Sequence, residues 1–318
     1  MYKVPILLLV FKIPKNIKKI LKILEKIKPY KIYISADGPR QYNIDDRKLC
    51  DQTKNLFNKL NWKCLIKRNY LKSNLGCKEA VSKGISWFFK NEKSGIILED
   101  DCIPNLDFFK FCQLNLKRYK DVKKIGCITG NNFQKKIDKK KTYYFSRYPH
   151  CWGWATWSRA WKAYDKDISF WPSYKKTDNW KNYFKNNIEQ KYWTKIFNNI
   201  HDNKIDSWAY PWSLCLWKNK MLTITPSVNL VKNIGFGKEA THTITDYDDQ
   251  QYETNKLPKK WIHPNEIIPN FRNDELIFRN HIKGINYIWP FRLFYLLKLL
   301  LSNPKIFFIK LKKNLFGQ

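Results

Sequence analysis

The chain has 318 residues, of which 43% are hydrophobic and 16% aromatic, so it can bury a core and is not an intrinsically disordered protein. Its formal net charge of +33 at pH 7 is compatible with nucleic-acid binding, with contact to an anionic membrane, or with lysine-rich amino-acid usage alone. The eight cysteines form no C-x-x-C pair and no zinc-finger spacing, which argues against a disulfide framework and against a zinc site.

Strand and helix patterns alternate over residues 1–132. Short apolar runs predict strands, and apolar residues that recur every three or four positions predict helices. Repeated strand–helix units predict an α/β, Rossmann-like fold in which helices flank a mostly parallel sheet. The predicted strands are 4–12, 31–40, 62–69, 94–101 and 125–132, and the predicted helices include 17–27, 43–60, 81–88 and 108–119.

The pattern changes in the second half of the chain. Residues 143–217 hold most of the fourteen tryptophans and show little clean periodicity. The last section, 284–318, is apolar and basic and contains no Asp or Glu. We therefore predict a main domain over 1–245, with halves 1–132 and 133–245, then a linker or extension over 246–285 and a helical tail over 286–318.

Polar residues follow three of the predicted strands, at the edge where parallel sheets bind their ligands. The second strand ends in Asp37-Gly38-Pro39-Arg40, and the fifth ends in Gly130-Asn131-Asn132. The fourth ends in Glu99-Asp100-Asp101, called the acidic triplet below. No G-x-G-x-x-G follows the first strand and no G-x-x-x-x-G-K-[ST] occurs, so neither a dinucleotide-binding fold nor a P-loop is supported.

The acidic triplet needs a physical explanation, because adjacent carboxylates at the end of a buried strand repel one another and lose solvation. A divalent cation would offset both costs, since carboxylate oxygens are hard ligands suited to Mg²⁺ or Mn²⁺. Such an ion can also hold a diphosphate and act as a Lewis acid on a leaving phosphate. The alternative is a solvated acidic turn. The position at a strand end favours the metal site.

Six segments in and around the triplet carry a resemblance to a known family. They are "CKEAVSKGISWFF", "ILEDDCIPNLDFF", "CITGNN", "WGWATW", "IDSWAY" and "ITPSVNLVKNIGFGKEATH". With these segments the chain resembles the GT-A-fold nucleotide-sugar glycosyltransferases, in particular the N-acetylglucosaminyltransferase I-like family, which initiates complex N-glycans, and its bacterial relatives. In the last segment the family's arginine is Leu230 here, and its Ser-His-Gly is Thr241-His242-Thr243, which leaves the donor and the acceptor open.

The resemblance implies roles for five residues around the second and fourth strands. Asp101 matches the family's direct metal ligand, and Asp100 and Glu99 match residues that hold the ribose and the transferred sugar. A strand-terminal charge paired with a lysine is the alternative for Glu99. Asp37 matches the aspartate that accepts a hydrogen bond from the uracil N3–H, although an Asp-Gly-Pro turn would also explain it. Lys78 matches a lysine that contacts the nucleotide, with a solvated lysine as the alternative.

Three further residues take roles from the same resemblance. Asp206, in "KIDSWAYPW", matches the aspartate that acts as general base on the acceptor hydroxyl, while its position also suits a helix N-cap. His242 is expected to touch the diphosphate, although a lone histidine is more often structural. Trp154 is expected to face the acceptor, because the C–H face of a sugar packs well on indole. Core packing is the default for most of the tryptophans.

The predicted function is metal-dependent transfer of a sugar, with inversion, from a nucleoside-diphosphate sugar. UDP is the favoured nucleotide, Mn²⁺ or Mg²⁺ is the expected metal, and the acceptor is a cell-surface glycan, a lipid-linked sugar or a protein. A basic nucleic-acid-binding protein is the alternative from another class, but a polyanion would avoid the strand-end acids. A nucleotidyltransferase that makes the sugar nucleotide would be expected to carry a Gly-rich loop after the first strand.

The expected location is cytoplasmic, with peripheral contact to the inner face of the membrane. No secretory leader is recognised, and no apolar run reaches the length needed to span a bilayer. Between His281 and Gln318, seven Lys/Arg are interleaved with Trp, Phe and Leu, which is typical of a segment that lies in the membrane interface. The alternative is a last helix pair, divided by Pro290 and Pro304, that packs on the domain.

Overall fold

The computed structural model describes residues 1–134, 141–235, 253–304 and 307–308. Within these residues the chain forms ten β-strands. They are β1 (Ile6–Val10), β2 (Lys31–Ala36), β3 (Leu65–Tyr70), β4 (Ser94–Glu99), β5 (Cys102–Pro104), β6 (Ile125–Thr129), β7 (Tyr143–Ser146), β8 (Trp154–Trp157), β9 (Leu222–Pro226) and β10 (Val231–Asn233).

Eight of these strands form one sheet, in the order β3-β2-β1-β4-β8-β6-β9-β7. Six of them run in one direction, and only β7 and β8 run opposite to the rest. The predicted α/β class with a mostly parallel sheet is therefore confirmed. The five strands predicted from the sequence are present as β1, β2, β3, β4 and β6.

The strand β8 connects the two parts of the sheet. It lies between β4 and β6 and is antiparallel to both, with Ala155 opposite Ile96 on one side and Ile128 on the other. The predicted halves 1–132 and 133–245 therefore contribute strands alternately to one continuous sheet. The sequence analysis identified neither β8 nor the strands β5, β7, β9 and β10.

Helices cover both faces of the sheet. Since successive residues of a strand point to opposite sides, each strand contributes side chains to the cores on both faces. On β1, Ile6 and Leu8 pack in the same core as α1 and α4, whereas Leu7 packs in the core that holds α3 and α9. The helices are α1 (Pro14–Ile27), α2 (Ile44–Asn55), α3 (Cys77–Asn91), α4 (Leu106–Arg118), α5 (Ser158–Trp161), α6 (Trp171–Tyr174), α7 (Asp178–Lys181), α8 (Asn187–His201), α9 (Ala209–Lys218), α10 (Phe271–Leu276), a π-helical turn (Ile277–His281), a 3₁₀ helix (Gly284–Tyr287) and α11 (Phe291–Ser302).

Most of the tryptophans are core residues, as expected. A third core, separate from the two that cover the sheet, holds Trp171, Trp180, Trp193 and Trp217 together with Phe197. Aromatic rings bury a large apolar area per residue, so this core can be stable around short helices that have little periodicity in sequence. The aromatic block of the sequence thus builds a helical subregion of α6, α7 and α8.

Residues 253–282 pack on the main domain and do not form a free linker. The backbone N–H of Thr142 donates to the carbonyl of Ile262 at 2.9 Å. Asp274 is fully buried, and its carboxylate accepts hydrogen bonds from Ser146 Oγ at 2.6 Å and Arg147 Nε at 3.0 Å. A buried charge of this kind is stable only when it is paired, so α10 is fixed to the end of β7.

The tail forms a helix at the predicted place. Pro290 immediately precedes α11, and α11 ends at Ser302, before Pro304. No residue of α11 is buried. None of the helices in the described ranges combines the length and the apolar character that crossing a bilayer requires.

A buried ion-pair cluster fixes two loops at the carboxyl ends of β1 and β2. The carboxylate of Asp46, on α2, is 2.7 Å from Lys12 Nζ and 2.6 Å from Arg40 Nε. The Asp46 side chain is only 1% exposed, whereas both basic side chains reach solvent. The Arg40 and Lys12 charges hold the pKa of Asp46 well below its ordinary value.

We predict that Asp46→Asn lowers the free energy of unfolding by about 2 kcal/mol at pH 7, because hydrogen bonds to a charged, buried group are lost. A depressed pKa stabilises the folded state above the unfolded pKa, and this stability is lost as the pH falls through the folded value. The difference between wild type and variant should therefore be constant at neutral pH and shrink progressively below about pH 4.

Urea unfolding across this pH range measures the difference. Asp51→Asn, which changes an exposed carboxylate on the same helix, is the matched control and should have little effect. A difference between wild type and Asp46→Asn that stays unchanged down to pH 3 would show that the charge of Asp46 contributes nothing.

Candidate functional site

A cleft of about 480 Å³ opens at the carboxyl ends of β1, β2 and β4. Its lining comes from the end of β1, the start of α1, the loop after β2, the start of α3, the acidic triplet and the residues after β10. This is the edge at which open α/β sheets bind their ligands, and the volume lies within the range of small-molecule sites. Asp37 and all three residues of the acidic triplet line it.

The acidic triplet is held in place by main-chain and side-chain donors. Glu99 is the last residue of β4, opposite Leu9 of β1, and Asp100 and Asp101 follow in a turn. The backbone N–H of Phe11 donates to Asp100 Oδ2 at 2.7 Å, which ties the turn to the end of β1. All three residues are half-buried, so the carboxylates face the cleft with limited access to water.

The electrostatics of the triplet are those of uncompensated like charges. Burial raises the pKa of all three carboxyl groups, and the neighbouring charges raise those of Glu99 and Asp100 further. The pKa of Asp100 rises to about 8. None of the ion pairs in the described part of the chain includes a residue of the triplet. A bound cation would lower all three pKa values.

The small ribbon of β5 and β10 closes the cleft beside Asp101. Asn233 pairs with Cys102, so the residues that follow β10 pass directly over the end of the triplet. The N–H of Ile234 donates to the Asp101 carbonyl at 2.8 Å. A Cβ on Gly235 would lie 2.2 Å from Asp101 Oδ2, so this position requires glycine for the backbone to approach the carboxylate.

The carboxylates of the cleft fit a divalent metal ion that is held mainly by the phosphates of a bound substrate and by water. The described residues contain no group of three or more His, Cys, Asp or Glu side chains arranged around one point. A Mg²⁺-type site needs no such cage, because this ion is commonly held by one or two carboxylates together with substrate phosphates and water. Asp101, which contacts no basic residue in the described ion pairs, is suited to be that carboxylate.

Asp37 organises the opposite wall of the cleft. Its Oδ1 accepts hydrogen bonds from the N–H groups of Gly38, at 2.8 Å, and Leu75, at 2.9 Å, and its Oδ2 accepts from Asn74 Nδ2 at 2.9 Å. A Cβ on Gly38 would lie 2.4 Å from the Ser73 carbonyl carbon, so the two loops pack backbone against backbone. The turn role considered for Asp37 is therefore real. Oδ1 accepts two hydrogen bonds and Oδ2 accepts one, so one lone pair of the carboxylate, on Oδ2, remains for a further donor.

Lys78 does not face the cleft. Its Nζ lies 2.9 Å from Asp167 Oδ1, and its side chain is 12% exposed. The next residue, Glu79, pairs with Lys166, so two ion pairs tie the start of α3 to the 165–168 loop. The structure thus gives Lys78 a local partner in place of the predicted nucleotide contact.

Asp206 is exposed and does not cap a helix. The helix α9 begins at Ala209, its N-cap is Trp208, and the side chain that reaches the first turn is that of Ser207. The N-cap explanation for Asp206 is therefore wrong. Within the described residues, Asp206 is not part of the lining of the cleft. Burial raises the pKa of Cys77, which does line the cleft, and the charges of Glu99 and Asp206 raise it further.

The position of Trp154 contradicts its predicted role. It is fully buried on β8, and its ring stacks on Trp208 with the centroids 5.6 Å apart. A ring enclosed in the core offers no face to a sugar. His242, by contrast, lies outside the described residues.

Asn131 and Asn132, which follow the fifth predicted strand, do not line the cleft. Asn131 and Asn132 are buried, and Asn131 Oδ1 accepts from the backbone N–H of Trp152 at 3.1 Å. Asn132 Nδ2 donates to the carbonyl of Pro226 at 2.8 Å. Both amides therefore connect loops inside the fold and lie outside the lining of the cleft.

Basic side chains that the sequence analysis did not single out reach the cleft. Lys15 and Lys19 are exposed, lie four residues apart on α1, and line the same cleft as the acids. Arg40, held by Asp46, lines the same side. The signal was available, because a helix that follows the first strand of such a sheet begins beside the ligand site.

Solved structures with which this chain was compared resemble it weakly, as their low TM-scores indicate. The mannosyltransferase PcManGT of Pyrobaculum calidifontis, in complex with GDP-Man and Mn²⁺, matches with a TM-score of 0.32 and 9% identity over 49% of this chain and 44% of that chain. HddC from Yersinia pseudotuberculosis matches with a TM-score of 0.31 and 16% identity, over 54% of this chain and 86% of that chain. An apo UDP-glucose pyrophosphorylase matches with a TM-score of 0.33 and 8% identity, over 70% and 90%.

The first of these matches spans less than half of the mannosyltransferase. No protein-family model and no curated protein matches the sequence. At these scores the likenesses carry no inference about activity, which has to be argued from the cleft itself.

We predict that Gly235→Ala displaces the Asp101 carboxylate and lowers the affinity of the protein for Mn²⁺ by about tenfold or more, as changes beside a metal ligand commonly do. The new methyl group collides with the far end of a flexible side chain, so the fold should be unaffected. Titration with Mn²⁺ followed by its electron paramagnetic resonance signal measures the affinity.

Ile234→Val is the matched control, because it trims the neighbouring side chain in the cleft without placing an atom against Asp101. Equal Mn²⁺ affinity in wild type and Gly235→Ala, with unchanged melting temperatures, would contradict the placement of the metal at Asp101.

Proposed function

We propose that the chain is a metal-dependent glycosyltransferase of the GT-A type, which moves a hexosyl or N-acetylhexosaminyl group from a nucleoside-diphosphate sugar with inversion. The observation that carries the proposal is the acidic triplet at the end of β4, facing a cleft of about 480 Å³ with Asp37 on its opposite wall. Three carboxylates and two lysines around one cleft are suited to a cation and to the phosphates that it binds.

The three acids would have different tasks. Asp101 would hold Mn²⁺ or Mg²⁺, and Gly235 leaves the space that the carboxylate needs. Asp100, oriented by the Phe11 N–H, would accept a hydrogen bond from the ribose, and Glu99 would hold the transferred sugar. When bound, the metal neutralises charge on the diphosphate leaving group.

The nucleoside would lie toward Asp37. Its carboxylate is fixed by three donors from two loops, so the lone pair that remains on Oδ2 has a defined direction. A uracil N3–H is a donor that such a carboxylate can accept, which favours UDP over nucleotides whose base lacks a donor at that place. Lys15 and Lys19, which line the same cleft, would lie near the phosphates.

Asp206 would act as the general base for the acceptor hydroxyl. Inversion requires a base on the face of the sugar opposite the leaving diphosphate. Asp206 is exposed and caps no helix, so its carboxylate is accessible for this role. The acceptor would be a glycan, a lipid-linked sugar or a protein, as in polysaccharide biosynthesis.

Two alternatives are less well supported. A nucleic-acid-binding protein would place basic residues around its ligand site, whereas four carboxylates line this cleft. A nucleotidyltransferase would bind a nucleoside triphosphate, whose α-phosphate is attacked by a sugar phosphate. Glycines are expected in the loop that approaches the triphosphate, whereas the loop after β1 here carries Lys12 and Pro14.

We predict that Asp101→Asn lowers metal-dependent turnover at least about 100-fold, because an amide holds a divalent ion weakly and Lewis-acid stabilisation is worth several kcal/mol. The melting temperature should not fall, since one of three repelling charges is removed. Hydrolysis of UDP-, GDP- and CDP-sugars with Mn²⁺ measures turnover without knowledge of the acceptor.

Asp51→Asn, on the exposed face of α2, is the control and should keep full activity. Equal rates of hydrolysis in EDTA and in Mn²⁺, or an active Asp101→Asn variant, would contradict the proposal that Asp101 holds a catalytic metal.

We predict that Asp206→Asn lowers the rate of transfer to an acceptor by roughly 10² or more, because proton removal from the acceptor hydroxyl is lost. Donor binding, measured by calorimetry with the nucleoside diphosphate and Mn²⁺, should be unchanged. The slow hydrolysis of the donor by water should fall much less than transfer.

Asp202→Asn tests the same surface, because this exposed carboxylate lies four residues away, and its ion pairs among the described residues are with its neighbours His201 and Lys204. It should keep full activity. Weaker donor binding in Asp206→Asn would place this residue in the donor site and contradict its role as a base.

A further inference from the structure

The tail presents apolar side chains to solvent. Phe294, Leu297 and Leu301 of α11 are 62%, 47% and 86% exposed, and Trp289, just before the helix, is 73% exposed. Single exposed apolar residues are ordinary, but a continuous row of them on one short helix is unusual for a soluble surface. The row needs a partner that removes it from water.

The exposed row lies on the opposite side of the helix from the half-buried residues. At 100° per residue, Phe294, Leu297 and Leu301 fall within one narrow stripe. Leu296 and Leu299 are half-buried and fall on the other side. Since no residue of α11 is buried, the helix does not complete the domain core, and its apolar stripe faces outward.

The charge around this row has one sign. From His281 to Gln318 the sequence contains seven Lys/Arg and no Asp or Glu. On the described part of the tail, Arg292 and Lys298 are exposed and form no ion pair with any described residue. A basic, apolar helix is complementary to a surface that is both anionic and apolar beneath its polar layer.

The base of the tail is fixed to the domain. Tyr287 packs on Tyr192 of α8 with the ring centroids 5.3 Å apart, and Tyr192 also contacts Phe278. Exposed lysines at positions 191 and 195 of α8 lie next to this contact. The tail is therefore held beside further positive charge, so a flat anionic surface could meet both.

We propose that α11 lies in the interface of an anionic lipid bilayer, with Phe294, Leu297 and Leu301 inserted among the acyl chains and the Arg292 and Lys298 side chains at the headgroups. The proposal concerns a surface outside the cleft and does not depend on the function proposed above. A second copy of the chain is a weaker partner, because two tails that each carry seven basic residues and no acidic residue repel one another.

Sedimentation of the full chain with vesicles tests the proposal. At low salt the protein should sediment with vesicles of phosphatidylglycerol and phosphatidylcholine, and much less with phosphatidylcholine alone. The triple variant Phe294→Gln, Leu297→Gln, Leu301→Gln should bind at least about tenfold more weakly, since glutamine keeps helix propensity but removes the apolar row.

The matched control is the triple variant Ile44→Gln, Leu106→Gln, Leu114→Gln. These residues are also exposed on helices, at 93%, 48% and 43%, but lie outside the tail. This variant should bind vesicles like the wild type. Circular dichroism and melting temperatures of both variants verify that the domain is folded.

The charges are tested separately with Arg292→Gln, Lys298→Gln. Each basic residue near an anionic leaflet contributes several-fold to binding, so this variant should bind about tenfold more weakly at low salt. The difference should disappear at about 1 M salt, where the Debye length is about 3 Å.

Three outcomes would overturn the proposal. The full chain could ignore anionic vesicles at low salt. The tail triple variant could bind as well as the wild type, which would assign the binding to other basic surfaces. Sedimentation velocity could show a wild-type dimer that the tail variant abolishes while neither binds vesicles, which would assign the apolar row to a second copy.

Discussion

The arrangement of this protein depends on one electrostatic constraint, three carboxylates placed side by side at the end of a central strand. Like charges in a half-buried position are costly, so the surrounding chain has to hold them at fixed positions and leave room for a counter-charge. The Phe11 N–H fixes Asp100 from the side of β1, and the chain after β10 fixes Asp101 from above. The donor in both contacts is a main-chain N–H, which has no side-chain rotamer to change.

The rest of the cleft is built around that centre by loops that are themselves tied down. Asp46 joins the loops after β1 and β2 through Lys12 and Arg40, and Asp37 joins the loop after β2 to the loop before α3. The start of α3 is tied in turn to the 165–168 loop through Lys78 and Asp167. Charged side chains thus position the walls, while the acids on the floor are left without basic partners in the described ion pairs.

The sequence was sufficient to predict the first half of the sheet and the position of the acids, because strand–helix units are local and their periodicity is visible in short windows. It was insufficient for β7 to β10, which are three to five residues long and whose partners are distant in sequence. Lys78 and Trp154 were misplaced for the same reason. The partner of Lys78 is 89 residues away, and Trp154 is enclosed by rings from two other segments.

The place of β8 in the sheet has a consequence for synthesis of the chain. β4 is complete at Glu99, but its neighbour β8 is complete only at Trp157, and β6 has no partner on that side until then. A nascent chain that ends between these points has a four-stranded parallel sheet with the unpaired backbone of Ile96 and Ile97 at its edge. Open apolar edges of this kind invite pairing with other chains. During this interval of synthesis, β4, which is a central strand of the finished sheet, is an edge strand.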